Sequence, residues 1–196
     1  SKPQAGFDAI LAASQFVVNA QQIVARRFDP LGFAVFSIGT IHGGVATNVV
    51  AGSARMEGVC RTYGEDNRKY LYNEIMRVAK GVEALSGCKV DVEHIEGYGS
   101  VVNDPELVDI AGEAVTAELG EGYVDHLTEP LSFSEDFSYY GNATGTPSLF
   151  MLLNAGYLGE EPYSLHDARC TFQEEALEYG VTAMIAAAKA ILDKKA

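Results

Sequence analysis

Basic residues are scarce in this sequence. Its 196 residues include 14 Lys and Arg against 27 Asp and Glu, a net charge of −13. Phosphate backbones are gripped by clustered Lys and Arg, so this balance argues against a nucleic-acid partner. Cysteine is scarce as well. Cys60, Cys88 and Cys170 are far apart, odd in number and form no CxxC. That pattern does not suggest a disulfide scaffold and favours a reducing, cytoplasmic compartment. Apolar runs are short: none approaches the ~18 residues of a membrane span, so no membrane partner is expected. The first ten residues, SKPQAGFDAI, lack the apolar centre of a signal peptide. They also lack an initiator Met, so the chain is expected to be trimmed or excerpted from a longer one. No GxSxG elbow, P-loop, GxGxxG, HExxH or HxxxH is present, which leaves covalent catalysis and a complete local metal motif unsupported.

What is present is a foldable chain. Apolar residues make up 47% and charged residues 21%, which excludes disordered and collagen-like classes. At this length about 70% of the unfolded surface can be buried, in one large or two small domains.

Apolar residues at Phe7, Ile10, Leu11, Val17, Val18 and Val24 predict a helix over 7–27, stopped at Asp29-Pro30. Residues 33–41 read as a strand that His42-Gly43-Gly44 breaks, and 46–50 as a further short strand. Residues 54–63 alternate. Ala54, Met56, Gly58, Cys60 and Thr62 form a core-directed face, which leaves Arg61 pointing toward water or a ligand. A second helix is predicted over 65–85 and an alternating strand over 88–95, with Val90 and Val92 inward. Helix, strand, strand, helix, strand is a split βαβ (ferredoxin-like, βαββαβ) order lacking its first strand. Six residues precede Phe7, too few to supply one. The expected fold class is therefore α+β, with a first domain over 1–97 and a second portion over 98–196. Beyond the 97–100 linker, a helix is predicted over 105–119, capped by Asn103 or Asp104 with Pro105 in its first turn. Residues 131–140 read as a loop or short helix. Residues 148–155 read as a strand buried on both faces of an α/β sheet, 156–170 as a loop, and 173–192 as an Ala-rich helix.

Few residues carry candidate chemistry. His166 lies in a loop after the apolar 148–155 run, where ligands collect in open α/β sheets; it is a metal-ligand or base candidate, or a loop His that caps or packs. His42 precedes two glycines that let backbone approach a ligand, or it sits in a hairpin turn. Glu135 and Asp136, inside an aromatic stretch, either orient a metal ligand or offset a helix dipole behind a Ser134 cap.

Five separated segments resemble one family, in order and with matching spacing. Residues 3–10 resemble its P-x-x-G-x-D-x-I helix start. Gly39-Thr40-Ile41-His42-Gly43-Gly44 with Asn48-Val49-Val50 resembles G-x-I-H-G-G-x-A-x-N-V-I. Residues 58–62 resemble G-x-x-R-T, residues 134–137 resemble S-E-D-F, and Leu165-His166-Asp167 resembles L-H-S/N. The chain is similar to M20 metallopeptidases in their amidohydrolase branch, which includes hippurate and N-acyl-amino-acid hydrolases. The resemblance implies a lid and dimerisation domain followed by part of an α/β catalytic domain, and metal-dependent hydrolysis of an amide in a small N-acyl amino acid or dipeptide-like substrate. It implies two divalent ions (Zn, Mn or Ni) per active site and a homodimer formed through the lid. His166 would be a metal ligand, and His42 the lid residue that polarises the scissile carbonyl, in dimers that of the partner subunit. Asn48 and Arg61 would anchor substrate, Arg61 through its carboxylate. Glu135 and Asp136 would support the metal site. The other ligands and a general-base Glu would precede Ser1, so the 196-residue chain alone is expected to be inactive. Asp167 stands where the family has Ser or Asn, and Ala51 where it usually has Pro. The competing expectation is a non-catalytic dimerisation or binding module derived from the same family; a third is an unrelated α+β domain.

Overall fold

The computed structural model describes residues 2–133, 135–159 and 162–195, in two compact units, Ser1–Ser100 and Val101–Ala196. In the first unit, α1 (Ala9–Gln22) begins where the Asp8 carboxylate accepts the Ile10 and Leu11 N–H groups, at 3.0 and 3.1 Å. That satisfies two donors that a helix start otherwise leaves bare. The helix widens into a single π turn over Ile23–Arg27 and ends at Phe28, just before Asp29-Pro30. β1 (Ala34–Gly43) and β2 (Ala54–Thr62) pair antiparallel. α2 (Glu65–Ser86) closes on Gly87, whose φ of 75° is a left-handed conformation that glycine takes without strain.

One core binds these elements. Ala12, Phe16, Ala20 and Ile23 from the first helical stretch meet Leu71, Val78, Ala79 and Val82 of α2, and Ala34, Phe36, Ile38 and Met56 of the ribbon pack against them. Ile23 and Leu71 are fully buried, each worth about 1.5–3 kcal/mol of apolar transfer. Glu74 is the buried charge of this unit. It accepts Nε and Nη2 of Arg27 at 3.2 and 3.4 Å, and Nε and Nη2 of Arg77 at 3.0 and 2.7 Å. Two guanidinium forks make its burial tolerable.

Three details of this unit differ from the sequence reading. β1 runs through His42 to Gly43, and the chain turns at Gly44, with φ of 77°; residues 46–50 form turns rather than a strand. Residues 88–95 are not a strand. Cys88, Val90 and Val92 do pack on the core, in the expected alternation. The backbone, however, is held by side chains: Cys88 N–H donates to Ser86 Oγ at 3.1 Å and Val90 N–H to Glu83 Oε1 at 2.7 Å. A strand is defined by its ladder, and no neighbouring strand pairs with this segment among the described residues.

In the second unit, the Asp104 carboxylate caps α3 (Pro105–Leu119) by accepting Leu107 N–H at 3.0 Å. Ala111 and Val115 of α3 pack with Ala187 of α5 (Ala176–Lys195), and Leu149 and Met151 lean on them. α4 (Ser138–Thr144) is short. Residues 148–155 differ from expectation too. They are not a doubly buried strand: Leu152 and Leu153 are 52% and 46% exposed. Asn103 anchors the segment instead, its Oδ1 accepting Phe150 N–H at 2.8 Å and its Nδ2 donating to Phe150 O at 3.0 Å. A doubly buried strand needs strands beside it and helices on both faces, and no sheet is described in this unit.

Candidate functional site

Three of the six candidate residues lie in the first unit, and a bulge arranges two of them. Ile38 pairs with Gly58 and Thr40 with Glu57, so Gly39 is an extra residue without a partner on β2. Before the bulge, the residues on the core side are Ala34, Phe36 and Ile38. After it the parity changes: Ile41 stands opposite Met56, a core-packing residue, and His42 opposite Arg55. Opposed residues share a face. His42 therefore joins Arg55, Glu57, Val59 and Arg61 on the face turned from the helices, whereas plain alternation would have put it inward. Gly43, next to it, points to α1; a Cβ there would sit 3.1 Å from Ile10 Cγ1.

Arg61 pairs with Val35 and is half-buried, while His42 is exposed. They share a face but not a neighbourhood, since Arg61 is six residues from His42's partner Arg55. At ~3.3 Å per residue their Cα atoms are about 20 Å apart, and side chains rising from one face run roughly parallel. One amino-acid-sized ligand does not reach both in one copy. Asn48 lies exposed in the turn between the strands.

The second unit holds the other three. Ser134, the proposed cap beside Glu135, lies outside the described residues. Glu135 is half-buried and its Oε1 accepts Phe137 N–H at 3.4 Å, at the start of α4, while Asp136 is exposed. His166 is exposed in the 156–173 loop and is the one non-glycine with positive φ, 75°, among the described residues. Its flanks are heavily bonded. Asp167 Oδ1 accepts Arg169 N–H at 2.9 Å and Nε at 3.0 Å, and Oδ2 accepts Nη2 at 2.9 Å. Arg169 Cζ lies 4.1 Å from the Tyr163 ring centroid. The Arg169 side chain, and then its backbone N–H, hold the Asp167 carboxyl below its ordinary range. The sequence reading missed Tyr163 and Arg169; opposite charges two apart just after His166 were the available signal.

An imidazole presented from a loop suits a divalent cation. His166 fits one coordination position. Among the described residues, no three His, Cys, Asp or Glu side chains gather into a metal-holding group, so a whole metal site does not come from these residues.

Residues 7–190 match peptidase family M20/M25/M40. The chain belongs to this family. An N-acetyldiaminopimelate deacetylase of Shouchella clausii is 33% identical to this M20 chain over 184 residues, covering 94% of it and 47% of the relative. An uncharacterized hydrolase of Sinorhizobium fredii is 36% identical over 163 residues, covering 82% and 39%. In three dimensions, the M20 chain matches a dinuclear metal-binding M20 peptidase of Bacillus subtilis with a TM-score of 0.74 and 30% identity, over 95% of the chain and 46% of that structure. A Staphylococcus aureus protein described as an aminohydrolase matches with a TM-score of 0.81 and 30% identity, over 97% and 48%. The M20 chain thus spans about half the length of these relatives. No described helix is long and apolar enough to cross a membrane.

Proposed function

We propose that this chain is the lid and the C-terminal catalytic portion of a metal-dependent amidohydrolase that cleaves the amide of N-acyl amino acids. The observation that carries this reading is the similarity, over 94% of the chain, to a relative whose name specifies removal of an acetyl group from an amino acid. Two divalent ions, Zn, Mn or Ni, would polarise the amide carbonyl and activate water when bound. His166 supplies one ligand. Glu135 and Asp136 stand behind that site as support. Arg61 receives the substrate carboxylate in a guanidinium fork, Asn48 adds an amide contact, and His42 donates to the developing oxyanion. The separation of His42 from Arg61 supports a homodimer in which the two residues serve different active sites. The lid is read as a split βαββαβ sheet whose opening strand would lie beside residues 88–95, which accounts for a segment that packs like a strand and has no ladder. Three unpaired cysteines suit a cytoplasmic setting.

The test uses N-acetyl and N-benzoyl amino acids with Mn²⁺, Zn²⁺ or Ni²⁺. The 196-residue chain alone should show no turnover, the protein carrying its natural upstream sequence should turn over, and His166→Ala in that longer protein should abolish it. Turnover by the 196-residue chain, or none by the longer protein, defeats the reading.

A further inference from the structure

We propose that Asp167, Arg169 and Tyr163 form a clamp that fixes the backbone and imidazole of His166 for metal binding, acting as positioning residues and not as ligands. This rests on the reading of His166 as a ligand. A left-handed φ is unfavourable for an L-residue, and it persists only where the surroundings over-determine it. Here they do. Asp167 N–H donates to Ser164 O at 3.1 Å, which makes His166 the third residue of a tight turn, where positive φ is normal for a type II geometry, and Cys170 N–H donates to Asp167 O at 2.9 Å in a second turn directly after it. The base of the loop is closed by Thr171 Oγ1, which bonds both the N–H and the O of Leu158 at 3.0 Å, and by Gln173 N–H to Ala155 O at 2.9 Å.

The clamp spans the tip. Tyr163 lies three residues before His166 and Arg169 three residues after it. The ring–guanidinium stack joins the two flanks, and the Asp167 fork ties Arg169 back to the residue next to His166. Both Asp167 carboxylate oxygens are engaged by Arg169, which makes Asp167 a poor ligand and a good brace. The Arg169 side chain is 66% exposed. An ion pair that exposed contributes little to global stability, so what it sets is geometry.

The test is metal binding by the apo full-length protein, titrated with Zn²⁺ or Mn²⁺ alone against a chelator, with the Co²⁺ visible spectrum as a second readout. Asp167→Ala and Arg169→Met should each weaken affinity about 10–100-fold and shift the Co²⁺ bands, at unchanged apo melting temperature. Arg169→Lys, which keeps charge but loses the fork, should fall between. If His166→Ala loses one metal equivalent while Asp167→Ala and Arg169→Met bind like the parent, the clamp is refuted and the ligand reading stands. If His166→Ala binds metal like the parent, both are refuted. A parallel drop in apo melting temperature assigns the trio to loop stability and overturns the clamp.

Discussion

His42 and Arg61 lie on one face of the β1–β2 ribbon because Gly39 interrupts the alternation of β1 between them. Were Gly39 paired in a regular ladder, opposite Glu57, His42 would stand opposite Ala54 on the helix side and Ile41 opposite Arg55 on the outer face. Deleting Gly39 should therefore close the bulge and keep Ile41 opposite Met56 and His42 opposite Arg55, so the imidazole should stay as accessible to chemical modification as in the parent. Gly39→Ala should be nearly silent, since the nearest atom to a Cβ there is Glu57 O at 3.9 Å. Gly58→Ala should not be: its Cβ would come within 2.5 Å of Ser37 O, so the strands must part, at about 1–3 kcal/mol. Equal melts for the two alanine variants would show that strand approach at Gly58 is not limiting.

Glu74 makes the first unit sensitive to acid. Its carboxyl is held below the ordinary range, chiefly by the hydrogen bond from Arg77 and then by that from Arg27. A depressed carboxylate pKa contributes stability that is fully present above the unfolded value of about 4.3 and is lost as pH falls through the folded one. Stability should decline below about pH 5, and Glu74→Gln should be less stable near neutrality with a flatter profile in acid. Parallel profiles for parent and variant, followed by circular dichroism, would remove Glu74 from the account.

Arg61 should separate binding from chemistry. In the full-length enzyme, Arg61→Lys keeps the charge but loses the fork, and should raise KM for N-acyl amino acids about 10–100-fold with kcat little changed. Substrates whose carboxylate is replaced by a carboxamide should not distinguish the two proteins. If both substrates respond alike, Arg61 supports the lid rather than the carboxylate.

The helices were legible from their apolar period and from signals at their ends: Asp29-Pro30 after the first, Gly87 after the second, Asp104 and Pro105 at the start of the third; the Asp8 cap, inside the predicted span, was not read. The strands were legible as far as their alternation and no further. Residues 88–95 alternate as a strand does, but a ladder also needs a neighbour, and periodicity says nothing of neighbours. Residues 148–155 are apolar enough for a buried strand, yet burial depends on what surrounds them. The bulge at Gly39 left no periodic trace, so His42 read as a turn residue when it lies within a strand. In the candidate site, Arg61 could be placed by parity on its uninterrupted strand. The Tyr163–Arg169 stack could not, because contacts across an irregular loop follow no repeat. The buried Glu74 was equally hidden: Arg77 is one helical turn away, but Arg27 comes from 47 residues earlier.

The backbone at His166 sets thermal robustness against use. Glycine would occupy that φ without penalty, and asparagine with little. A population of variants selected only for surviving heat should drift to one of them at this position, while one selected for turnover should keep the imidazole and accept the weaker loop. Comparing the two enriched pools would read out, from sequence counts alone, whether this position is retained for its side chain or for its fold.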